Sequence, residues 1–233
     1  TGCVMDAWMR DTHRATAALL DSIDVSYALP GTGGGCCGAL HAHAGLHDRA
    51  ARMAEHVMGS MPGGAPILVN SAGCGAALKE YGHLLGTPDA AAFASRVLDV
   101  HEYLAAHASR LPELRPAGTA LIIQDPCHLR HVQRAHEPVR ALLGPIADLV
   151  ELDDDGLCCG AGGAYSIVEP ELAGEIRDRK LATIDRAAAR SGATTVVSAN
   201  PGRSMHLEAE LTARGIRVRH PIDVLADALP ESG

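Results

Sequence analysis

A pair of adjacent cysteines constrains this chain most, because it occurs twice, each time in a glycine-rich stretch. Cys36 and Cys37 stand in "GCCGAL", and Cys158 and Cys159 stand in "LCCGAG". Neighbouring side chains normally diverge, so two adjacent thiols that face one centre need an unusual turn. Glycine supplies the backbone freedom that such a turn requires. The fold must therefore provide two tight turns that present sulfur.

The other cysteines place the two pairs in two similar series. Cys3 precedes the first pair and Cys74 follows it, while Cys127 precedes the second pair at a spacing close to that between Cys3 and the first. The matching offsets and the shared sequence CCGA predict an internal repeat of about half the chain. The seven cysteines are odd in number and clustered, unlike a secreted disulfide framework. Thiols that are kept reduced in a cytosol and used as metal ligands are the more natural interpretation.

The apolar pattern between the cysteines predicts an α/β fold. Short runs rich in branched apolar side chains predict strands over 24–29, 66–72, 119–125, 147–153 and 194–200. Helical patterns cover 11–23, 47–58 and 170–192. Strands that alternate with helices favour mostly parallel sheets, and ligands of such sheets gather at the carboxyl ends of the strands. The sequence thus predicts two pseudo-repeated, Rossmann-like halves in which distant cysteines converge at strand ends.

The cysteine series also suggest how the chain is divided. We expect a first cysteine-rich repeat over 1–85, a helical connection and linker without cysteine over 86–118, and a second repeat over 119–233. A strand is predicted before Cys127, whereas only Thr1 and Gly2 precede Cys3. If the repeats are homologous, the first one lacks its opening strand, and we expect the natural protein to continue upstream.

Clustered thiols indicate an inorganic cation. The thiolate is the metal-binding form of cysteine, and several thiolates repel one another unless positive charge compensates them. An iron–sulfur cluster or a zinc ion supplies that charge. Glycines beside both pairs free the backbone to aim N–H donors at the sulfurs, namely Gly33, Gly34 and Gly35, and Gly160, Gly162 and Gly163. Buried small apolar side chains or a vicinal disulfide are the alternative interpretations.

Charge and composition exclude other classes of partner. The net charge is −8, from 20 basic and 28 acidic side chains, and no stretch concentrates Lys and Arg, so we expect no nucleic acid partner. Aromatic residues make up only 3% of the chain, which argues against platforms for base stacking. No apolar run reaches the roughly 18 residues of a membrane span, so any membrane contact would need a partner.

Four segments resemble one family closely. They are "NSAGCGAALKEYGHLL" at 70–85, "DPCHLRHVQ" at 125–133, "LCCGAGGAYSI" at 157–167 and "VRHPIDVLADAL" at 218–229. With them the chain resembles the carboxyl-terminal half of glycolate oxidase iron–sulfur subunits, in the wider family that carries the CCG cysteine-rich domain and to which heterodisulfide reductases contribute a related member. The resemblance extends over nearly the whole chain.

The resemblance implies electron transfer. Such a subunit relays electrons from a flavin-containing subunit, which oxidises a 2-hydroxy acid such as glycolate, to an acceptor. It implies an upstream ferredoxin-like region. The reduced thiols predict a cytoplasmic location, with a peripheral position at the inner face of the membrane as an alternative. No pattern of acid/base residues is evident, so we expect no catalytic residue in this chain. The resemblance also implies a 4Fe–4S type of cluster, with zinc as the alternative. The implied ligands are Cys3, Cys36, Cys37, Cys74, Cys127, Cys158 and Cys159.

This sequence departs from the family pattern at the end of both series. The heterodisulfide reductase members end each series in CxxC, but here Ser71 takes the leading position before Cys74, which weakens a disulfide-reducing function. In the second series Arg203 stands where a cysteine is expected, and arginine stays protonated and cannot ligate iron. We therefore expect the cluster in the first half and a degenerate second site: a cluster with an open or non-cysteine position, another metal, or none. Substitute ligands could be His128, His131 or His206.

Other polar residues near the motifs support weaker hypotheses. His41, His43 and His47 crowd behind the first pair, but residues two apart on a helix point to different faces, so polar or packing roles are expected. Lys79, Glu80 and Tyr81 fit a solvated face or a partner contact as well as catalysis. Two alternatives to the electron relay remain: a disulfide-reducing component of the heterodisulfide reductase type, and a module held together by zinc or disulfides that binds a partner.

Overall fold

The structure is a computed structural model that describes residues 2–31, 34–154 and 156–231. Gly33, one of the glycines before the first pair, lies outside the described residues. The helices are α1 (Cys3–Trp8), α2 (Arg10–Ser22), α3 (Ala39–His43), α4 (His47–Ser60), α5 (Ala72–Lys79), α6 (Tyr81–Leu85), α7 (Pro88–Ser95), α8 (Val100–Ala106), α9 (Glu137–Leu143), α10 (Tyr165–Val168), α11 (Pro170–Ser191), α12 (Pro201–Ala213) and α13 (Pro221–Asp227). The strands are β1 (Ile67–Val69), β2 (Val97–Asp99), β3 (Leu121–Ile123), β4 (Leu149–Glu151), β5 (Thr195–Val197) and β6 (Arg217–Arg219).

These strands form two parallel sheets. Strands β1 and β2 pair in one sheet, and the other has the order β4-β3-β5-β6. All three residues of the central strand β3 are buried, as expected for a parallel strand that helices cover on both faces. The chain leaves β3 toward β4 on one side and then crosses to β5 on the other. Such a reversal opens a crevice at the carboxyl ends of the strands. The predicted α/β fold with parallel sheets is confirmed.

Most predicted elements are present, but two differ. The runs at 66–72, 119–125, 147–153 and 194–200 contain β1, β3, β4 and β5. The strand predicted over 24–29 is wrong: the chain leaves α2 through Asp24 with φ +53° and runs over the surface without a partner strand, with Leu29 70% exposed. The segment 86–118 is more than a helical connection, since it contains β2, which completes the first sheet.

The two halves of the chain share one core. Leu19, Leu20 and Ile23 of the α2 region pack in one cluster with residues of β3, α8 and α13. A second cluster covers the other face of the larger sheet, where α11 and α12 pack on β3 and β5. A third fills the small sheet around Tyr81 and Phe93. Because α2 lies in the core of the later half, the chain does not separate into two independent packing units.

None of the described helices combines the length and apolar character needed to span a bilayer.

Candidate metal centre

The first cysteine group begins where the start of α1 meets the glycines before the pair. Gly2 has φ +78°, and its N–H donates to the carbonyl of Gly34 at 3.2 Å. Cys3 is the first residue of the helix that follows. This contact places the Cys3 thiol within hydrogen-bonding reach of Cys36.

The first CC turn is fixed by a glycine and a tyrosine. Gly38 has φ +80°, and a Cβ there would lie 3.1 Å from the carbonyl oxygen of Ala50. Its N–H donates to Cys36 Sγ at 3.5 Å. Cys37 is buried, and its carbonyl accepts a hydrogen bond of 2.9 Å from the hydroxyl of Tyr81. The CC turn therefore points the Cys36 thiol outward and the Cys37 thiol inward.

Cys74 joins this group from the smaller sheet. It lies in the first turn of α5, directly after β1. Cys37 is within hydrogen-bonding reach of both Cys36 and Cys74, so the four thiols of Cys3, Cys36, Cys37 and Cys74 form a chain of contacts. The convergence predicted for the first series is therefore present in these contacts, although its CC pair does not follow a strand.

The thiols of this group differ in charge because they share protons. Hydrogen bonding from Cys37 lowers the pKa of Cys36 to about 5 and the pKa of Cys74 to about 7. The same contacts raise the pKa of Cys37 strongly, and burial raises the pKa of Cys3. Cys36 therefore has the strongest thiolate character of the group, followed by Cys74. The group offers the form of cysteine that binds metals.

The second CC turn repeats the geometry of the first. Gly160 has φ +87°, and its N–H donates to Cys158 Sγ at 3.4 Å. A Cβ at this glycine would lie 2.4 Å from the carbonyl oxygen of Ala173, so no other residue fits without movement. Cys158 is exposed and Cys159 is buried. In both turns the first sulfur accepts from the glycine two residues later, and the second sulfur faces the interior.

The second cysteine group consists of Cys127, Cys158 and Cys159, and the guanidinium of Arg203 lies beside it. Cys127 follows β3 and begins a π-helical turn over His128–Gln133. Arg203 is 5% exposed, and its Nη2 lies 3.0 Å from Cys127 Sγ while Nη1 donates to the carbonyl of Asp125 at 3.1 Å. Contact with Cys158, and then the Arg203 charge, lower the pKa of Cys127 to about 4. The guanidinium thus stands beside the thiols, where the family pattern calls for a fourth cysteine.

The histidines lie near these groups in different ways. The rings of His43 and His128 stack at 5.5 Å. Burial lowers the pKa of His128 and of His206, and the His206 ring contacts the backbone of Ala173 and Cys159. His41 lies near Cys36 and His131 lies near Cys127, whereas His47 begins α4 and is exposed.

Lys79, which ends α5, and Tyr81, which begins α6, are both held by contacts within the protein. Lys79 Nζ lies 2.8 Å from Glu102 Oε2. Glu80 caps the end of α5, where its N–H donates to backbone carbonyls. Tyr81 supports the first CC turn, as described above. These contacts assign structural roles to the three residues.

Within the described ranges, no three or more His, Cys, Asp or Glu side chains are arranged to hold one metal ion. A single zinc ion draws its thiolate ligands to about 2.3 Å each. In an iron–sulfur cluster the cysteines bind different irons. The sulfurs that hold a cluster therefore need a different spacing from sulfurs that surround one zinc ion.

Two amides join the cysteine groups, and the sequence gives no signal for them. Asn200, which precedes α12, accepts from Gly73 N at 3.3 Å and from Ser71 Oγ at 3.4 Å. Gln133 Nε2 donates to the carbonyl of Ala72 at 2.9 Å. The start of α5, which carries Cys74, is therefore held by the same region that presents Cys127 and Arg203. Such contacts between residues far apart in sequence leave no local pattern.

Comparison with known proteins gives consistent matches. The family model "CCG: Cysteine-rich domain" matches residues 1–79 and 121–208. The chain is 32% identical to the probable glycolate oxidase iron–sulfur subunit of Bacillus subtilis (strain 168), over 98% of this chain and 53% of the relative. It is 31% identical to the glycolate oxidase iron–sulfur subunit of Escherichia coli (strain K12), over 98% and 56%. Lactate utilization protein A of Exiguobacterium sp. (strain ATCC BAA-1283 / AT1b) is 24% identical over 99% of this chain and 96% of the relative. The chain thus spans about half the length of the glycolate oxidase relatives.

Proposed function

This chain belongs to the CCG cysteine-rich domain family, and we propose that it binds an iron–sulfur cluster through its first cysteine group and transfers electrons within an oxidoreductase complex. The observation that carries the proposal is the contact of Cys3, Cys36, Cys37 and Cys74, which three separate parts of the chain bring together. The names of the relatives, which include iron–sulfur subunits, support the same role.

The donor set fits such a cluster. Four thiols are available, two of them with lowered pKa values, and thiolates are the ligands that iron–sulfur clusters use. A bound cluster would supply reversible one-electron chemistry. The protein's part is to hold the sulfurs and to tune their charge: Gly38 N–H donates to Cys36, and Tyr81 fixes the turn that carries Cys37. Hydrogen bonds to cluster sulfurs shift reduction potentials, so Gly38 would also affect the potential.

We propose further that the complex oxidises a 2-hydroxy acid such as glycolate. A flavin-containing subunit would oxidise the substrate, and this chain would receive the electrons together with an upstream ferredoxin-like region. We place this work in the cytoplasm, with membrane contact only through a partner or an electron acceptor. The name of the glycolate oxidase relatives supports this substrate class. The division into two repeats at 1–85 and 119–233 belongs to the same proposal, and the shared geometry of the two CC turns supports it.

The serine at position 71 argues against a disulfide-reducing function. Ser71, which stands where the CxxC ending has its first cysteine, lies 3.4 Å from Asn200 in a contact between the halves. A component of the heterodisulfide reductase of Methanosarcina barkeri (strain Fusaro / DSM 804) is 29% identical over 74% of this chain and 44% of the relative, but the serine removes one thiol from the series. The electron relay is therefore the function that the site supports best.

Anaerobic purification followed by iron, sulfide and zinc analysis tests the proposal. We expect iron and acid-labile sulfide, and an EPR signal after reduction. Cys36→Ser should remove the first-group cluster, because serine at this position does not offer a thiolate. Met205→Ser, which removes a sulfur from an exposed side chain, is the control and should leave iron content unchanged. Zinc alone in the wild-type protein, or iron unaffected by Cys36→Ser, would refute the proposal.

A further inference from the structure

We propose that the second cysteine group holds an iron–sulfur cluster through three cysteines only, Cys127, Cys158 and Cys159, with Arg203 as a fixed hydrogen-bond donor to the cluster where a fourth ligand would be. This inference rests on the proposed iron–sulfur function but concerns a different site. A four-cysteine centre, which the family pattern would predict here, does not fit the residues present.

Arg203 is buried and is held by contacts on both of its Nη atoms. It lies in the first turn of α12 and is 5% exposed. Nη1 is tied to the carbonyl of Asp125 at 3.1 Å, and Nη2 to Cys127 Sγ at 3.0 Å. Since the guanidinium stays protonated and has no lone pair for iron, it is a donor and a positive charge in the second group.

One atom of Arg203 lacks an acceptor. Its Nε is buried and has no hydrogen-bond partner among the described residues. Buried polar groups in folded proteins almost always have a partner, so each exception calls for an explanation. The guanidinium interacts with all three cysteines of the group, and a cluster bound there would bring sulfide, which accepts hydrogen bonds, next to it. A cluster would therefore satisfy the free donor.

The chain offers no fourth thiol to this site. The other cysteines all belong to the first group. Of the three possible substitute ligands, His128 stacks on His43, His131 interacts with Cys127 electrostatically, and His206 contacts the backbone of Ala173 and Cys159. We assign the fourth position to none of them. One iron corner of a four-iron cluster would thus lack a protein ligand. If an added oxidant such as ferricyanide took one electron from such a cluster, the unligated iron would leave as Fe²⁺ and a three-iron cluster would remain. The Arg203 charge would favour the reduced form of a bound cluster.

EPR spectroscopy of the full chain distinguishes the two kinds of cluster, because an oxidised three-iron cluster is paramagnetic and an oxidised four-iron cluster is not. After mild oxidation we expect the signal of a three-iron cluster in the wild-type protein. Cys158→Ser, at an exposed thiol, should abolish it and keep the first-group cluster. Arg203→Cys should abolish the three-iron signal and raise the iron content by about one per chain, since it supplies a fourth thiolate.

Arg203→Gln keeps most of the volume and removes the charge, so it serves if the cysteine variant does not fold. It should retain the three-iron signal while the reduction potential of this cluster becomes more negative. An unchanged iron content in Cys158→Ser would overturn the inference, as would an oxidised wild-type protein without the three-iron signal. Either result leaves the first group untouched, whereas loss of all iron in Cys36→Ser would mean that the first group holds the only cluster.

Discussion

Replacing Tyr81 with phenylalanine removes one hydroxyl from beneath the first CC turn and changes little else. Tyr81 is completely buried, and its ring stacks on Phe93 with centroids 5.7 Å apart. Phenylalanine retains the ring and this contact. The atom lost is the donor of the 2.9 Å hydrogen bond to the carbonyl of Cys37. Burial raises the pKa of Tyr81, so the hydroxyl keeps its proton and acts as a donor at every working pH.

The expected cost follows from what the carbonyl loses. A buried acceptor that has lost its partner costs about 1–3 kcal/mol, and Cys37 is only 8% exposed. We expect Tyr81→Phe to lower the free energy of unfolding by this amount. Urea denaturation of the reduced, metal-free protein measures it directly, since a bound cluster would add its own binding energy to the native state.

Tyr27→Phe is the matched control. The same hydroxyl is removed from a side chain that is 44% exposed, so the free energy of unfolding should change by less than about 0.5 kcal/mol. If Tyr81→Phe is as stable as Tyr27→Phe, the hydroxyl does not support the turn, and the account of how Cys37 is oriented is wrong. If only Tyr81→Phe loses stability, and its iron content after reconstitution also falls, the turn and the metal centre depend on the same contact.

Two further predictions concern the glycine turn and a buried histidine. Gly160→Ala should destabilise the protein by roughly 1–3 kcal/mol in urea denaturation, since its Cβ would lie 2.4 Å from a carbonyl oxygen at φ +87°; the control Gly174→Ala, on α11 with open space around it, should be neutral or stabilising, and equal effects would contradict the reasoning. Burial and the charge of His101 lower the pKa of His220 well below 6.5, so its contribution to stability is complete above pH 6.5 and falls by about 1.4 kcal/mol per pH unit below it. Urea denaturation of the wild type and His220→Gln across this range should show the gap closing as pH falls, and a constant gap would refute the assignment.

The sequence predicted those parts of the fold that local patterns encode. Short branched runs at 119–125 and 194–200 became β3 and β5, because buried parallel strands need apolar side chains on both faces. The run at 24–29 gave a wrong prediction because its composition resembles that of the runs that do form strands. It has strand-like residues, but no partner strand lies beside it, and pairing is a property of the whole fold. Strand β2 was missed because three residues between two helices carry too little periodicity.

The candidate site, too, could be predicted only in part from the sequence. The cysteines and the glycines beside them could be predicted, because adjacent thiols in a glycine turn have few other uses. Arg203 was visible as a departure from a pattern, yet its burial and its contacts with Cys127 and Asp125 could not be derived from the sequence. Those contacts depend on how α12 packs on the end of β3, which involves residues almost eighty positions apart.

The contacts between the two groups give a structural reason for keeping a second cysteine group that has only three cysteines. The start of α5, which presents Cys74, is held by Asn200 and Gln133, and these residues flank the positions of Arg203 and Cys127. If the second group were only a decayed ligand set, its thiols would tend to repel one another once their cation was lost. Arg203 supplies a permanent positive charge in that place, and together with the contact from Cys158 it lowers the pKa of Cys127. We therefore expect the second group to keep its shape without metal and so to support α5, from which the first group takes Cys74.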